Sequence, residues 1–256
     1  VIDEAQMLSD KDRGWAWTEA ILGVNADVIH ICMSPNAIYI VKLLISMCQD
    51  SYTEIRHRRS SKLIVENNNF VFPDDIQDGD ALVAFSRRKV LMLATLLKKK
   101  GYTVSVIYGS LPYSVRKAEM ARFLSGESRI VVCTDAIGMG VNLPIRRVIF
   151  TEVEKFDGLI KRRLNMGEIK QIAGRAGRKG LYDQGYVNAF EGREYIAALV
   201  AGKYKQITSC VIQPPRKVLD MPYSLSEIFR IWLKTIDRKC FSVAKIKNRI
   251  KLAEYI

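Results

Sequence analysis

The chain of 256 residues is 48% hydrophobic and 26% charged, an ordinary composition for a globular protein of one or two domains. Its 40 Lys and Arg residues against 27 Asp and Glu residues give a net charge of +13, which favours a polyanionic partner such as nucleic acid. The five cysteines show no Cys-x-x-Cys spacing, the two histidines lie far apart and no apolar run of about 18 residues occurs, which argues against zinc ribbons, disulfide scaffolds, histidine-rich metal sites and membrane spans.

Apolar bursts of strand length alternate along the chain with stretches of helical period. This alternation is typical of a mostly parallel sheet whose strands are connected by helices. The predicted strands cover residues 28–33, 81–85, 103–107, 130–133, 148–150 and 186–190. The predicted helices cover residues 15–22, 37–47, 89–100 and 115–124. The predicted fold class is therefore α/β.

Three segments depart from this alternation. The chain opens abruptly on Val-Ile-Asp-Glu over residues 1–4, which resembles the end of a buried strand and favours a fragment. Residues 56–80 carry a basic run, three asparagines and an Asp-rich part typical of turns, so we predict a linker there. Residues 213–256 begin with Gln-Pro-Pro and continue with a helical, basic pattern, so we predict the start of an additional helical region.

An acidic pair, Asp3 and Glu4, directly follows two apolar residues. Carboxylates at the end of a strand can hold Mg²⁺ through water and orient an attacking water in nucleotide hydrolysis. The alternative for an isolated acidic pair is a helix cap or a turn. Because the segment continues as Asp-Glu-Ala-Gln to Gln6, the functional interpretation becomes more specific.

Two closely spaced glycines follow the predicted strand 130–133. Residues 133–142 read Cys-Thr-Asp-Ala-Ile-Gly-Met-Gly-Val-Asn. Glycines after a strand let the backbone approach a ligand and leave amide groups free for phosphate or ribose. Leu143 stands where a dinucleotide fingerprint requires glycine, which argues against a Rossmann-type dehydrogenase.

Small polar residues follow two further predicted strands. Ser86 comes after strand 81–85, and Gly109 comes shortly after strand 103–107. The carboxyl ends of parallel strands form the edge where open α/β sheets bind ligands, so we expect these residues to share a site. For each of them taken alone, a turn is the favoured explanation.

A phosphate-binding loop of the type Gly-x-x-x-x-Gly-Lys-Ser/Thr does not occur in this sequence. Its Gly-Lys dipeptide at Gly202 is followed by Tyr204, and Ala197 stands where the first glycine would be required. Without that loop the β- and γ-phosphates have no backbone cradle. We therefore expect the chain as given to hydrolyse ATP poorly.

Residues 171–178 read Gln-Ile-Ala-Gly-Arg-Ala-Gly-Arg and place Arg175 and Arg178 three positions apart. On a helix these positions share a face, and the small residues around them would let a partner backbone approach. Arginine forks bidentately onto phosphate oxygens, which suits the charge on a transferring phosphoryl group. The alternative is a solvated basic helix.

In their order, these motifs resemble those of superfamily 2 helicases, starting at the second motif of that family. The matching segments are residues 3–6 (second motif), 85–86 (fourth), 134–142 (fifth) and 171–178 (sixth). More narrowly, the chain resembles the SUV-type ATP-dependent RNA helicases of the mitochondrial degradosome and their bacterial relatives. That likeness lies in Arg-Gly-Trp-Ala-Trp-Thr (13–18), Ile-Tyr-Gly-Ser-Leu-Pro (107–112) and Asp-Ala-Ile-Gly-Met-Gly-Val-Asn-Leu (135–143).

The resemblance covers roughly residues 1–215 and implies RecA-like domains with parallel sheets and flanking helices. Residues 1–55 would be the C-terminal part of a first domain, and residues 81–212 a complete second domain. ATP would bind in the cleft between them. Residues 213–256 would form a short helical extension.

The resemblance also implies roles for the nucleotide site. Asp3 and Glu4 would serve Mg²⁺, through water, and the attacking water, while Gln6 would couple the nucleotide to RNA. The catalytic residues of the sixth motif would be Gln171, Arg175 and Arg178, with the arginines on the γ-phosphate. The residues lining the ribose and phosphates would be Asp135, Gly138 and Gly140.

On the RNA side, the resemblance implies backbone contacts from Ser86, Gly109 and Thr134. The third motif departs from the family pattern. Where the family usually has a Cys-Gly-Glu-like stretch after the strand that holds His30, residues 32–35 read Cys-Met-Ser-Pro. The link between hydrolysis and unwinding that this motif provides is therefore not assigned to particular residues.

The implied function is that of an ATP-dependent RNA helicase with ATP and Mg²⁺ as cofactors. Its substrate would be single-stranded RNA or a duplex with an overhang, and an exoribonuclease is a candidate partner. We expect a bacterial cytoplasmic location, with the mitochondrial matrix as the alternative. Two other functions stay open from the residues alone, a non-catalytic RNA-binding module and a DNA helicase of the same superfamily.

Overall fold

The computed structural model describes residues 1–57, 59, 61–138, 142–177, 181–215, 220–243 and 246–254. The chain forms two compact units, Val1–Ile55 with Lys205–Ile256, and Arg56–Tyr204. Two of the expected site residues, Gly140 and Arg178, lie outside the described ranges. Of the helices in those ranges, none is both long enough and apolar enough to cross a membrane.

The described helices and strands follow one another along the chain with short connections. The helices are α1 (Gly14–Gly23), α2 (Ile38–Met47), α3 (Arg87–Lys99), α4 (Tyr113–Leu124), α5 (Met166–Ala173), α6 (Arg193–Ala201), α7 (Leu225–Thr235) and α8 (Ile246–Ala253). The strands are β1 (Lys62–Val65), β2 (Asp80–Val83), β3 (Val104–Ile107), β4 (Ile130–Cys133), β5 (Arg147–Phe150), β6 (Glu154–Phe156), β7 (Lys161–Arg163), β8 (Gln184–Ala189), β9 (Cys210–Ile212) and β10 (Phe241–Val243). Short 3₁₀ helices cover Ala5–Ser9, Pro35–Ala37 and Asp135–Gly138.

The unit Arg56–Tyr204 is built on a six-stranded parallel sheet in the order β1-β8-β5-β2-β4-β3. Strands β2, β4 and β5 are buried along their whole length, as expected for parallel strands covered on both faces. Val83 is in register with Cys133 and with Phe150, and Cys133 is in register with Ile107. The carboxyl ends of β3, β4, β2 and β5 therefore lie side by side.

Helices cover both faces of this sheet. Alternate strand residues point to opposite faces, so Leu82 and Ile149 pack with the buried side of α3, whereas Val83 and Phe150 belong to a second cluster. That second cluster includes buried residues of α4, α5 and α6. Strands β6 and β7 form a separate antiparallel hairpin between β5 and α5 in the chain.

A buried ion-pair cluster lies at the start of β2 and β5. The Arg147 side chain is 7% exposed, and it donates to the Asp80 carboxylate from Nε at 2.9 Å and from Nη2 at 2.7 Å. Its Nη1 lies 3.1 Å from Glu66 Oε2, and its guanidinium lies over the ring of Phe70. Burial raises the pKa of Asp80, and the contacts with Arg147 oppose that shift. The cluster joins β2 and β5 to the residue that follows β1.

The unit Val1–Ile55 with Lys205–Ile256 has its own core. Leu8, Ile40, Leu44 and Cys210 are fully buried in one cluster. Gly14 begins α1 at a position where an added Cβ would lie 2.5 Å from the Leu8 carbonyl oxygen, so the close approach requires glycine. In this unit β9 pairs in parallel with β10.

The α/β fold class and the parallel sheet predicted from the sequence are confirmed. The structure differs from three predicted boundaries. Residues 56–80, predicted as a linker, contain β1, because this short apolar stretch pairs with the edge of β8. Residues 28–33, predicted as a strand, contribute an isolated parallel bridge between Ile31 and Ile2 in the described chain.

The third difference concerns the C-terminal part of the chain. The sheet unit ends at Tyr204, whereas the sequence placed its end at residue 212. Residues 210–212 form β9, whose backbone groups pair with β10 and so belong with Val1–Ile55. Residues 213–256, predicted as the start of a helical region, contain β10 as well as α7 and α8.

Candidate functional site

The three residues expected to contact RNA follow three neighbouring strands. Ser86, Thr134 and Gly109 come after β2, β4 and β3 in that spatial order. The strand ends are joined by further hydrogen bonds, since the Thr134 amide donates to the Ile107 carbonyl at 3.0 Å and the Ala84 amide donates to the Cys133 carbonyl at 2.9 Å. The fold thus brings these residues together at the carboxyl edge of the sheet.

Ser86 is fixed at the start of α3. Its hydroxyl accepts the Lys89 amide at 3.2 Å as an N-cap. The Lys89 ammonium lies 3.0 Å from Glu152 Oε2, and Glu152 Oε1 accepts the Phe85 amide at 2.9 Å. Glu152, which follows β5, therefore holds the turn that carries Ser86. The sequence offered no signal for Glu152, because its partners are distant in the chain.

Gly109 lies in an exposed turn, and its carbonyl accepts a hydrogen bond from Arg116 Nη2 at 2.7 Å. An added Cβ would meet nothing within 4 Å, so packing does not require glycine here. Thr134 is half-buried, and its Oγ1 accepts the Ala136 amide at 3.4 Å. The two residues are thus held by local turn contacts.

Residues of two separate motifs touch at Gly138. This buried glycine ends the 3₁₀ turn Asp135–Gly138, and a Cβ there would lie 3.5 Å from Cγ of Gln171. The Gly138 carbonyl accepts a hydrogen bond from Arg175 Nη2. Gly138, Gln171 and Arg175, all predicted as nucleotide-site residues, therefore form one contact cluster.

Helix α5 carries Gln171 but ends at Ala173, so Arg175 lies in the turn beyond the helix. On a helix, Arg175 and Arg178 would share one face. For Arg175 this expectation is wrong, because the residue lies outside the helix. The helix cannot continue, because Ala176 forms a bridge with Ile145 and Gly177 adopts φ 72°. A Cβ on Gly177 would lie 2.6 Å from the amide nitrogen of β8 residue 185, so only glycine permits this close crossing.

Arg59 holds the turn that contains Arg175. Its Nη1 donates to the Gly174 carbonyl at 3.2 Å, and its Nη2 donates to the Ala176 carbonyl. Burial lowers the pKa of Arg59. Because these carbonyls flank Arg175, Arg59 fixes the backbone on both sides of it. In the sequence Arg59 is one member of a basic run, and nothing in that run distinguishes it.

An ion-pair network surrounds Glu168 on α5. The Lys155 ammonium lies 2.7 Å from Glu168 Oε1 and 3.2 Å from Asp135 Oδ2. Arg162 donates to both Glu168 oxygens at 2.9 and 3.0 Å, and Asn165 forms a capping box with Glu168. Burial alone would raise the pKa of Glu168, but the hydrogen bonds from Arg162 and Lys155 outweigh burial and lower it to about 2.

This lowered pKa predicts a pH-dependent contribution of Glu168 to stability. The folded-state value of about 2 lies below the ordinary value of 4.5, so the contribution is fully present above about pH 4.5 and is lost as the pH falls towards 2. A shift of this size corresponds to at most about 3–4 kcal/mol. Urea unfolding of wild type and Glu168→Gln should show the largest difference in unfolding free energy at pH 7 and a shrinking one towards pH 3. A difference that stays constant across this range contradicts the prediction.

Glu4 has a left-handed backbone, with φ 55° and ψ 40°. This conformation is unfavourable for residues with a Cβ and is concentrated at functional sites. The Glu4 carboxylate accepts a hydrogen bond from Gln6 Nε2, and Gln6 Oε1 accepts the Ser34 amide at 3.0 Å. The Asp3 carboxylate accepts the Glu4 amide at 2.9 Å, and the Asp3 carbonyl accepts Trp17 Nε1–H at 2.8 Å.

These contacts join the acidic pair to the stretch at residues 32–35 that departs from the third-motif pattern. Gln6 bridges Glu4 and the Ser34 amide, and the Ser34 hydroxyl in turn donates to Asn36 Oδ1 at 2.5 Å. The sequence did not identify Ser34 as a site residue, because its contact uses a backbone amide that any residue type supplies.

The side chains of Asp3 and Glu4 form a donor set that fits Mg²⁺. This ion keeps several waters and binds through one or two carboxylates together with substrate phosphates. The Asp3 side chain is exposed and the Glu4 side chain is half-buried, so both are accessible to a hydrated ion. Within the described ranges no group of three His, Cys, Asp or Glu residues gathers into a metal cage of protein ligands alone.

Two protein-family models match the chain. The model described as the DEXQ-box helicase domain of Suv3 matches residues 1–57, and the model described as the helicase conserved C-terminal domain matches residues 63–180. Among solved structures, the chain resembles a Dbp5 variant from Saccharomyces cerevisiae bound to Gle1 and IP6. The TM-score is 0.51 at 14% identity, over 99% of this chain and 60% of that one, so the likeness concerns the fold alone.

Curated relatives include mitochondrial ATP-dependent RNA helicases named SUV3. The Saccharomyces cerevisiae protein is 42% identical over 203 residues, which cover 75% of this chain and 27% of the yeast protein. The Candida albicans protein is 32% identical over all of this chain and 38% of its own length, and the Drosophila melanogaster homolog is 32% identical over all of this chain and 36% of its own. The chain therefore spans less than two fifths of the length of these relatives.

Proposed function

Because the chain belongs to the superfamily 2 helicases and, among them, to the Suv3 group, we propose that it is part of an ATP-dependent RNA helicase. The protein would couple ATP hydrolysis to unwinding of RNA or to movement along it. The observation that carries this proposal furthest is the contact cluster of Gly138, Gln171 and Arg175. It joins the fifth and sixth motifs through a guanidinium group that is fixed in place.

On the nucleotide side, the proposal assigns each motif one task. Asp3 and Glu4 would hold Mg²⁺ through water, and the charge of that ion stabilises the phosphates electrostatically when it is bound. Glu4 would also orient the attacking water, and the hydrogen bond from Gln6 supports its carboxylate. Arg175 would donate to the γ-phosphate as charge develops there, with Gln171 beside it.

Two residues of the fifth motif would bind the remainder of the nucleotide. Asp135 would accept hydrogen bonds from the ribose hydroxyls, and the backbone at Gly138 would lie near the phosphates. From their positions in the motifs alone, we also propose that the backbone at Gly140 lies near the phosphates and that Arg178 contacts a phosphate.

On the RNA side, Ser86, Gly109 and Thr134 would contact the sugar-phosphate backbone. Backbone contacts carry no base information, so the grip would be largely independent of sequence. The net charge of +13 supports a strongly salt-dependent affinity. A single strand, or a duplex with an overhang, is the proposed substrate, and an exoribonuclease that consumes the released strand is a proposed partner.

We propose that residues 1–55 are the C-terminal part of a first RecA-like domain and that residues 56–204 form a second one. The latter range replaces 81–212, because β1 belongs to the sheet and residues 205–212 do not. The relatives named above are all described as mitochondrial, which supports a mitochondrial location. They give no support to the bacterial cytoplasm expected from the sequence.

An ATPase assay with and without RNA tests the proposal on the chain as given and on the complete product of its gene. We expect RNA-stimulated hydrolysis by the complete product, little by the chain as given, and loss of most activity in a Glu4→Gln variant of the complete product. A complete product that binds RNA but does not hydrolyse ATP contradicts the proposal and leaves the RNA-binding module.

The lack of a Gly-x-x-x-x-Gly-Lys-Ser/Thr loop in this sequence favours one alternative for the chain by itself. On that alternative the chain binds RNA through the strand ends of its sheet unit without hydrolysing ATP. A filter-binding titration with single-stranded RNA, repeated at increasing salt, measures this grip. Competition by single-stranded DNA of the same sequence separates an RNA helicase from a DNA helicase, because only the former discriminates against DNA.

A further inference from the structure

Lys155 lies between two carboxylates that belong to different parts of the candidate site. Its ammonium is 3.2 Å from Asp135, in the turn after β4, and 2.7 Å from Glu168, on α5. The Lys155 side chain is only 19% exposed, so this charge is largely withdrawn from solvent. The position, on strand β6, belongs to none of the helicase motifs recognised in the sequence.

The shared ammonium keeps the two carboxylates compatible. Without a cation between them, two neighbouring negative charges repel and tend to move apart or take up a proton. Burial alone would lower the pKa of Lys155, but Glu168 and Asp135 outweigh burial and raise it, so the bridge stays charged at neutral pH. Arg162 supports Glu168 from its other side, which leaves Lys155 as the link to Asp135.

Two connections join the turn Asp135–Gly138 to the region of α5, and the bridge by Lys155 is one of them. At one end Lys155 joins Asp135 to Glu168, and at the other end Arg175 and Gln171 meet Gly138. Asp135 and Gly138 bound one 3₁₀ turn, while Glu168 and Gln171 lie on one helix. With both connections in place, the turn cannot slide along the helix.

We propose that Lys155 is a positioning residue for ATP turnover, because it holds the turn Asp135–Gly138 and helix α5 in the register that aims Gln171 and Arg175. This inference rests on the proposed function. Lys155 acts through other residues and does not touch the nucleotide. Its loss should therefore lower kcat, through Arg175, by a larger factor than it raises KM for ATP, through Asp135 on the ribose.

The test is steady-state ATPase kinetics of the complete gene product with Lys155→Met, which keeps an unbranched side chain, one atom shorter, and removes its charge. A displacement of about 1 Å at a catalytic group costs on the order of 10²-fold in rate, so we expect kcat to fall by about that factor while KM for ATP changes by less than about threefold. Lys155→Arg, which can bridge the same carboxylates, should restore most of the turnover.

Lys161→Met is the matched control. Lys161 lies on the same hairpin and pairs with Glu154 at 2.8 Å, but its side chain is 72% exposed. ATP turnover without RNA should be unchanged in this variant. A double-mutant cycle of Lys155→Met with Glu168→Gln should be strongly non-additive, since both changes break the same bridge.

Two outcomes overturn the inference. One is a Lys155→Met protein that is folded, by its urea unfolding midpoint, and has wild-type kcat. The other is a Lys155→Arg protein that loses as much turnover as Lys155→Met, while the urea unfolding midpoints of both variants are lowered. This second outcome indicates that Lys155 has a purely structural role. Absence of ATPase activity in the wild-type product contradicts the proposed function itself and is thereby distinguished from both.

Discussion

Replacing Arg175 by alanine should lower ATP turnover by the complete gene product about 10³-fold, the lower end of the effect of an arginine finger. The guanidinium of Arg175 is already held by the Gly138 carbonyl and by the turn that Arg59 fixes, so it needs little reorganisation to meet a phosphate. An alanine offers neither charge nor donors as negative charge develops. Single-turnover hydrolysis at saturating ATP and RNA measures the effect on the chemical step.

Two further variants make this prediction sharper. Arg175→Lys keeps the charge but lacks the planar fork, so it should recover only a small part of the activity. Arg129→Ala removes an exposed arginine that pairs with the exposed Asp78 and should leave turnover unchanged. If Arg175→Ala retains turnover within about threefold of wild type while its unfolding midpoint is unchanged, Arg175 is not the finger.

Replacing Arg147 by methionine should lower the free energy of unfolding by about 3–5 kcal/mol, because it leaves Asp80 buried without its cation. The Asp80 side chain is 1% exposed and its carboxylate accepts two hydrogen bonds from Arg147. Methionine fills a similar volume, so the loss reflects the unpaired charge and the missing donors more than a cavity. Urea unfolding followed by circular dichroism gives the free energy directly.

The double variant Arg147→Met with Asp80→Asn separates the charge from the packing. Because the buried charge is removed together with its partner, the double variant should be more stable than Arg147→Met alone. The exposed pair of Arg129 and Asp78 is the control, and Arg129→Met should give little measurable change. An Arg147→Met protein as stable as wild type at pH 7 contradicts the buried ion-pair assignment.

The central strands of the sheet were predictable from local pattern. Residues 81–85 and 130–133 are continuous apolar runs, and a parallel strand covered on both faces requires such a run. Strand β1 was missed because its three apolar residues, 63–65, stand between a basic run and three asparagines, so the segment as a whole has the composition of a linker. The hairpin of β6 and β7 was missed because its strands are short and carry charged residues, whose pairing is not visible in hydrophobic periodicity.

The residues of the candidate site also divide into those that the sequence identified and those that only the structure identified. The motifs containing Asp3, Gln171 and Arg175 could be found because the residue types and their spacing are properties of the chain itself. Arg59, Glu152 and Lys155 could not, because each is a single charged residue whose partners lie far away in the sequence. Helix α5 ends before Arg175, so the helical face considered for the two arginines does not include it, since the close crossing at Gly177 stops the helix.

The sequence by itself determined the α/β class, the order of the helicase motifs and the chemistry that their side chains offer. These follow from periodicity and residue type, which are local. Only the tertiary structure decided that Arg175 leaves the helix to meet Gly138, and that Lys155 stands between Asp135 and Glu168. Such contacts depend on which strands become neighbours in the sheet, and strand order is set by the packing of the whole unit rather than by any one segment.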